Sequence, residues 1–129
     1  MNKQKLLLFW VHGLNNIYPI ENNILAQKII NKGGVILSEY NLWTKPEKKN
    51  FPQRNRIISG LSDGILVIEA REKSGSLITV DFALEQGKNV YAIPGNITSL
   101  NSVGTNQIIK EGAKVVTNVS DILEDVYSI

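Results

Sequence analysis

Apolar residues gather along this chain in five short runs, at 5–11, 35–38, 65–69, 89–93 and 114–117, with helical spacing in between. In LLLFWV, ILVIE and VYAI the apolarity is continuous rather than alternating, which predicts strands buried on both faces, as in the interior of a parallel sheet. The segments between them carry apolar positions three or four apart. Ile24, Leu25, Lys28, Ile29 and Ile30 predict a helix that ends at Gly33 and Gly34. Leu77, Ile78, Ala83 and Leu84 predict another that runs to Gly87, and Gln107 to Lys110 predict one that runs to Gly112. A last helix is expected from Ser120 as N-cap, with Leu123 and Val126 on its inner face. Strand and helix alternate throughout, so the pattern predicts an α/β fold with helices on both faces of a parallel sheet.

In such a sheet the ligand crevice lies beyond the carboxyl ends of the strands. The residues just after each run are therefore the ones to collect: His12, Gly13 and Asn15; Ser38, Glu39 and Tyr40; Glu69, Ala70 and 73–76; Pro94, Gly95 and Asn96. Within the third group, Gly75 allows close backbone approach and the hydroxyls of Ser74 and Ser76 can cap. The first-turn amides of the following helix then face the crevice with the positive end of its dipole. Lys73 and Arg71 add mobile charge. That is the composition of an anion site, and equally of an ordinary capped turn; spacing does not separate the two.

A second basic element is NFPQRNRIISGLSDG at 50–64. Asn50 can cap it, Pro52 is tolerated in a first turn, and Ile57, Ile58 and Leu61 form an apolar face. Arg54 is expected over that face and Arg56 pointing elsewhere. Upstream, the loop at 40–50 is polar and basic. Lys45, Lys48 and Lys49 with Trp43 and Phe51 offer charge for phosphates and rings for bases. The alternative is a solvated loop whose two rings pack on the core.

Length and composition narrow the classes. The 129 residues, 43% of them hydrophobic, suit a single domain covering 1–129. Fourteen basic against twelve acidic residues leave a net charge of +2, so any polyanion argument rests on local clusters. The absence of cysteine excludes disulfides and thiolate metal sites. One histidine and no clustered carboxylates give metal binding little support. MNKQK before LLLFWV imitates a secretory signal, but the apolar run is short and no small-residue cleavage site follows. No stretch approaches the roughly 20 apolar residues of a membrane span. A soluble, cytoplasmic protein is expected. Neither GxGxxG nor GxxxxGK[ST] is present, which removes the best sequence support for dinucleotide chemistry or triphosphate hydrolysis.

FPQRNRIISGLS at 51–62, ILVIEAREKSGSLIT at 65–79, AIPG at 92–95 and SVGTNQIIKEGA at 102–113 together resemble the DNA-processing protein A family, DprA or Smf. GLNNIYPIENNILA at 13–26 and GGVILSEY at 33–40 fit the same family's middle segment, so the likeness runs over roughly residues 5–125. The resemblance implies a Rossmann-like three-layer sandwich with a mostly parallel sheet of about five strands. It implies binding of single-stranded DNA without a reaction on it, and no cofactor. It also implies loading of the RecA recombinase in natural transformation or DNA recombination, and a homodimer. Carried across motif by motif, DNA and phosphate contacts fall on Arg54, Asn55 and Arg56, on Lys48 and Phe51, and on Lys73, Ser74, Gly75 and Ser76. The family's domain begins with two further strands bearing a GSR motif, so the resemblance implies a fold truncated at its amino end, with an open sheet edge. His12 stands before GLN where the family has a small residue before GLD, and is expected to reshape the rim.

Two other functions compete. One is a nucleotide-binding or nucleotide-hydrolysing enzyme using Glu39 and Glu69 as acid and base, although SGSLITVDFALE does not reproduce the PGGxGTxxE loop of such enzymes. The plainer role of these carboxylates is pairing with Arg54 or Lys73. The other is a family member that acts only through protein partners.

Overall fold

The computed structural model describes residues 5–127, and the chain falls into two compact units, 1–54 and 55–129. In the first unit, β1 (Leu7–Trp10) and β2 (Val35–Ser38) pair in parallel, Leu7 beside Val35 and Trp10 beside Ser38. The connection between them holds a 3-10 turn at Ile20–Asn22 and α1 (Asn23–Asn31), which packs on β2 and buries Ala26. The helix α2 (Asn50–Gly60) starts in this unit and continues into the second.

The second unit holds β3 (Gly64–Val67), β4 (Asn89–Ala92) and β5 (Lys114–Val115) in a parallel sheet of that order. The intervening helices are α3 (Gly75–Glu85) and α4 (Val103–Lys110), and α5 (Ser120–Val126) closes the chain. Alternation along the strands sorts the faces. Val67, Val90 and Ala92 join Val80 and Ala83 of α3 and Ile108 of α4 in one buried cluster. Tyr91 points the other way, in register with Lys114, whose Nζ donates to both carboxylate oxygens of Asp125 on α5 at 3.0 Å. Helix, sheet and helix thus form three layers within this unit. Gly64 leaves room for the Tyr91 ring, which a Cβ would meet at 2.8 Å.

The α/β class and all five strands agree with the sequence pattern, with three corrections. The strands form two small sheets, of two and three strands, rather than one sheet of five. Burial on both faces, predicted for three strands, holds only for β4: Leu7 of β1 and Leu66 of β3 are exposed. Caps differ as well. Ser120 is the first residue of α5, and the Asp121 carboxylate turns back to accept the amides of Thr117 at 2.8 Å and Asn118 at 3.1 Å. Those two donors depress the Asp121 pKa below its ordinary value. Asn50 does not cap α2; it is buried, and its Nδ2 donates to the Val11 carbonyl at 2.9 Å. The helix exits agree with the reading, since Gly33, Gly87 and Gly112 follow α1, α3 and α4 in the left-handed region.

Candidate nucleic-acid interface

In the first unit the carboxyl ends of β1 and β2 are tied together. Ser38 Oγ donates to the His12 carbonyl at 2.6 Å and accepts from the Tyr40 amide at 3.1 Å. His12 is 2% exposed, its ring 4.8 Å from that of Trp10 and its Nδ1 3.0 Å from the Gly13 carbonyl. It is a packing residue and offers no ring to the rim, contrary to the expectation that it reshapes that surface. Beyond it, the Gly13 amide donates to the Thr44 carbonyl at 2.9 Å and the Asn15 amide to the Leu42 carbonyl at 3.0 Å. A Cβ on Gly13 would overlap the carbonyls of Asn41 and Leu42, so only glycine lets the two loops lie this close.

The same unit holds Lys48, Phe51 and Arg54. Arg54 is half-buried; its Nη1 donates to the Phe9 carbonyl at 2.5 Å and its guanidinium carbon stands 6.0 Å from the centre of the Phe51 ring. Burial lowers the Arg54 pKa, opposed by Tyr40, yet a guanidinium stays charged at neutral pH. The sequence placed Arg54 on the inward side of its helix, and the structure adds what it holds there. Phe51 is 43% exposed and Lys48 is exposed, whereas Lys49 is paired to Glu47 at 2.8 Å, a hydrogen bond that raises the Lys49 pKa.

In the second unit, Arg56 is exposed and Asn55 half-buried on α2. The α2 backbone is gripped there by Gln86, whose Nε2 donates to the Arg56 carbonyl at 2.9 Å while its Oε1 accepts from the buried Ser59 hydroxyl at 2.6 Å. At the start of α3, Ser74 is the N-cap: its Oγ accepts from the Ser76 amide at 3.4 Å and lies 2.8 Å from Ser76 Oγ. The turn before it closes with the Ser74 amide on the Arg71 carbonyl at 3.1 Å, and Lys73 within it has φ +60°. Gly75 is exposed, with open space where a Cβ would stand. Arg71 is not mobile charge, because its Nε donates to Asn101 Oδ1 at 2.9 Å. Glu69 and Lys73 are both exposed and form no ion pair with each other among the described residues, so the pairing expected of them is not made.

One element escaped the sequence reading. Asn106 of α4 accepts from the Gly95 amide at 3.1 Å and donates to the Gly95 carbonyl at 3.0 Å, fixing the loop after β4. No local pattern announces such a bond, since its two partners meet only in the fold.

Residues 3–127 match the model of the family described as DNA recombination-mediator protein A. The chain belongs to that family. Among curated members, it is 49% identical over 114 residues to Protein Smf of Escherichia coli (strain K12), covering 88% of this chain and 30% of that protein. It is 48% identical over 113 residues to DNA processing protein DprA of Bacillus subtilis (strain 168), covering 88% and 38%. The crystal structure of DprA from Streptococcus pneumoniae superposes with a TM-score of 0.78 at 46% identity, over 88% of this chain and 40% of that one. DNA processing protein A from Helicobacter pylori, solved for its single-stranded DNA binding mode, superposes with a TM-score of 0.83 at 30% identity, over 95% and 56%. The chain therefore spans well under half the length of these two curated relatives.

Proposed function

We propose that this chain binds single-stranded DNA as a DNA-processing module and carries out no reaction on it. The observation that carries this reading is the arrangement in the first unit of a fixed guanidinium over an exposed ring, Arg54 on Phe51, with the exposed Lys48 on the same helix approach. Cation and ring together suit a strand that offers phosphates and bases. The serine-capped start of α3, with Lys73 before it, supplies a second anion-attracting element on the other unit. The single-stranded DNA binding of the Helicobacter pylori relative supports the same ligand class. The family's description as a recombination mediator supports a recombinase of the RecA type as protein partner, in DNA uptake or recombination, and we include homodimer formation in the proposal. A cytoplasmic setting accords with it, and no described helix is long and apolar enough to cross a membrane.

The test is titration of a fluorescent deoxythymidine oligomer of about 20 nucleotides over a range of salt. Three or four phosphates neutralised by the residues named give a slope of log affinity against log salt near −2 to −3, at about 0.7 per phosphate. Lys48→Ala should weaken binding and flatten that slope by about 0.7. Arg54→Lys is the informative change at its position, because Arg54→Ala would also strip the Phe9 carbonyl of its donor. Absence of binding at low salt, or release of free base from a panel of nucleotides, would overturn the proposal.

A further inference from the structure

The loop that follows β2 presents a ring with no structural employment. Trp43 is 74% exposed, although indole is among the side chains most buried on average. Among the described residues no ring or cation stacks on it, in contrast to Phe51, one neighbour of which is the Arg54 guanidinium. Its backbone, however, is held from both sides. Leu42 and Thr44 each give a carbonyl to the loop after β1, at 3.0 and 2.9 Å, and the Thr44 amide donates to the Asn41 carbonyl at 2.9 Å. The close approach that these bonds require is the one that demands glycine at position 13. A rigid base carrying an exposed indole has already met the ordering cost of the backbone, so a stacking partner need immobilise only the side chain. On its carboxyl side the loop carries Lys45 and Lys48, both exposed, while Glu47 is neutralised by its pair with Lys49, which favours a partner that is flat and anionic.

From this geometry we infer that Trp43 is a nucleobase-stacking residue for single-stranded DNA, acting beside the phosphate contacts and independently of Phe51. The inference rests on the DNA-binding reading above and assigns to this loop the part of the affinity that depends on bases. Stacking on an aromatic side chain tolerates every base, so the residue adds affinity without sequence preference.

The experiment uses the whole chain and two oligomers of equal length, about 20 deoxythymidines and the corresponding abasic deoxyribose phosphate strand. The sequence has two tryptophans, and the other, Trp10, is half-buried beside His12. Tryptophan emission should fall on adding the thymidine oligomer and stay unchanged on adding the abasic one. Trp43→Ala should weaken thymidine binding roughly 5- to 100-fold and leave abasic binding unaltered, and Trp43→Phe should retain most of the affinity. Equal losses on both oligomers, or thymidine binding without quenching, would overturn the stacking role while leaving DNA binding in place. A Trp43→Ala chain that binds both oligomers normally but changes its mass in solution would instead make the ring a protein contact. If the unaltered chain binds neither oligomer, the DNA-binding reading fails and the inference with it.

Discussion

Lys73 is the one described residue other than glycine held at positive φ, at the point where the chain leaves β3 and turns into α3. An L residue there costs about 1 kcal/mol, which asparagine tolerates better than lysine. Lys73→Asn is therefore expected to raise the thermal midpoint slightly, or leave it unchanged, while lowering DNA affinity and reducing the salt slope by about 0.7. Opposite movements of stability and binding would show that the lysine is kept for its charge. At this scale the sequence was legible for the cap of α3 and opaque for partners. Ser74 is recognisable as an N-cap because the cap and the amide it serves lie within three residues. The fixing of Arg71 by Asn101 and of Arg54 by the Phe9 carbonyl joins residues 30 and 45 positions apart, and neither bond leaves a trace in local spacing.

The elements repeat that division. Helix exits could be read from glycines because a left-handed residue is a local demand, whereas the entry to α5 could not, since its Asp121 serves amides that precede the helix. That entry has a pH signature. The Asp121 pKa is lowered first by the Thr117 amide and then by that of Asn118, so folding favours the ionised form. A depressed carboxylate contributes stability above its ordinary value of 3.8 and loses it as pH falls through the lower native value. Thermal unfolding of Asp121→Asn should accordingly begin below that of the unaltered chain near neutrality, and the gap should close at acid pH beneath 3.8. A gap that persists unchanged into acid would assign the effect to packing rather than charge.

For the whole molecule, the alternation of strands and helices carried the α/β class, because each element's period is written in consecutive residues. Which strands share a sheet is not written there: hydrophobic runs report how deeply a strand's faces lie, not which backbone stands beside it. Hence five strands were foreseen and their grouping as two and three was not. The same limit applies at the start of β1, where Leu6, just before the strand, and Leu7 read as interior yet are exposed. The family, by contrast, was legible, since its motifs are runs of adjacent residues and the matching span is nearly the whole chain.

The Gln86 side chain gives the second unit a property of motion. Because it grips the Arg56 carbonyl and the Ser59 hydroxyl together, the carboxyl half of α2 and the end of α3 are expected to open as one piece. Deuterium exchange should find the amides of 57–60 opening in step with those late in α3, and Gln86→Ala should uncouple them, with α2 exchanging faster while α3 keeps its rate. The turn that bears Arg56 would then lose one of its ties, although the Ser59 hydroxyl would still donate to the Arg56 carbonyl at 3.1 Å, and a strand of DNA would have to supply the order that the glutamine now adds.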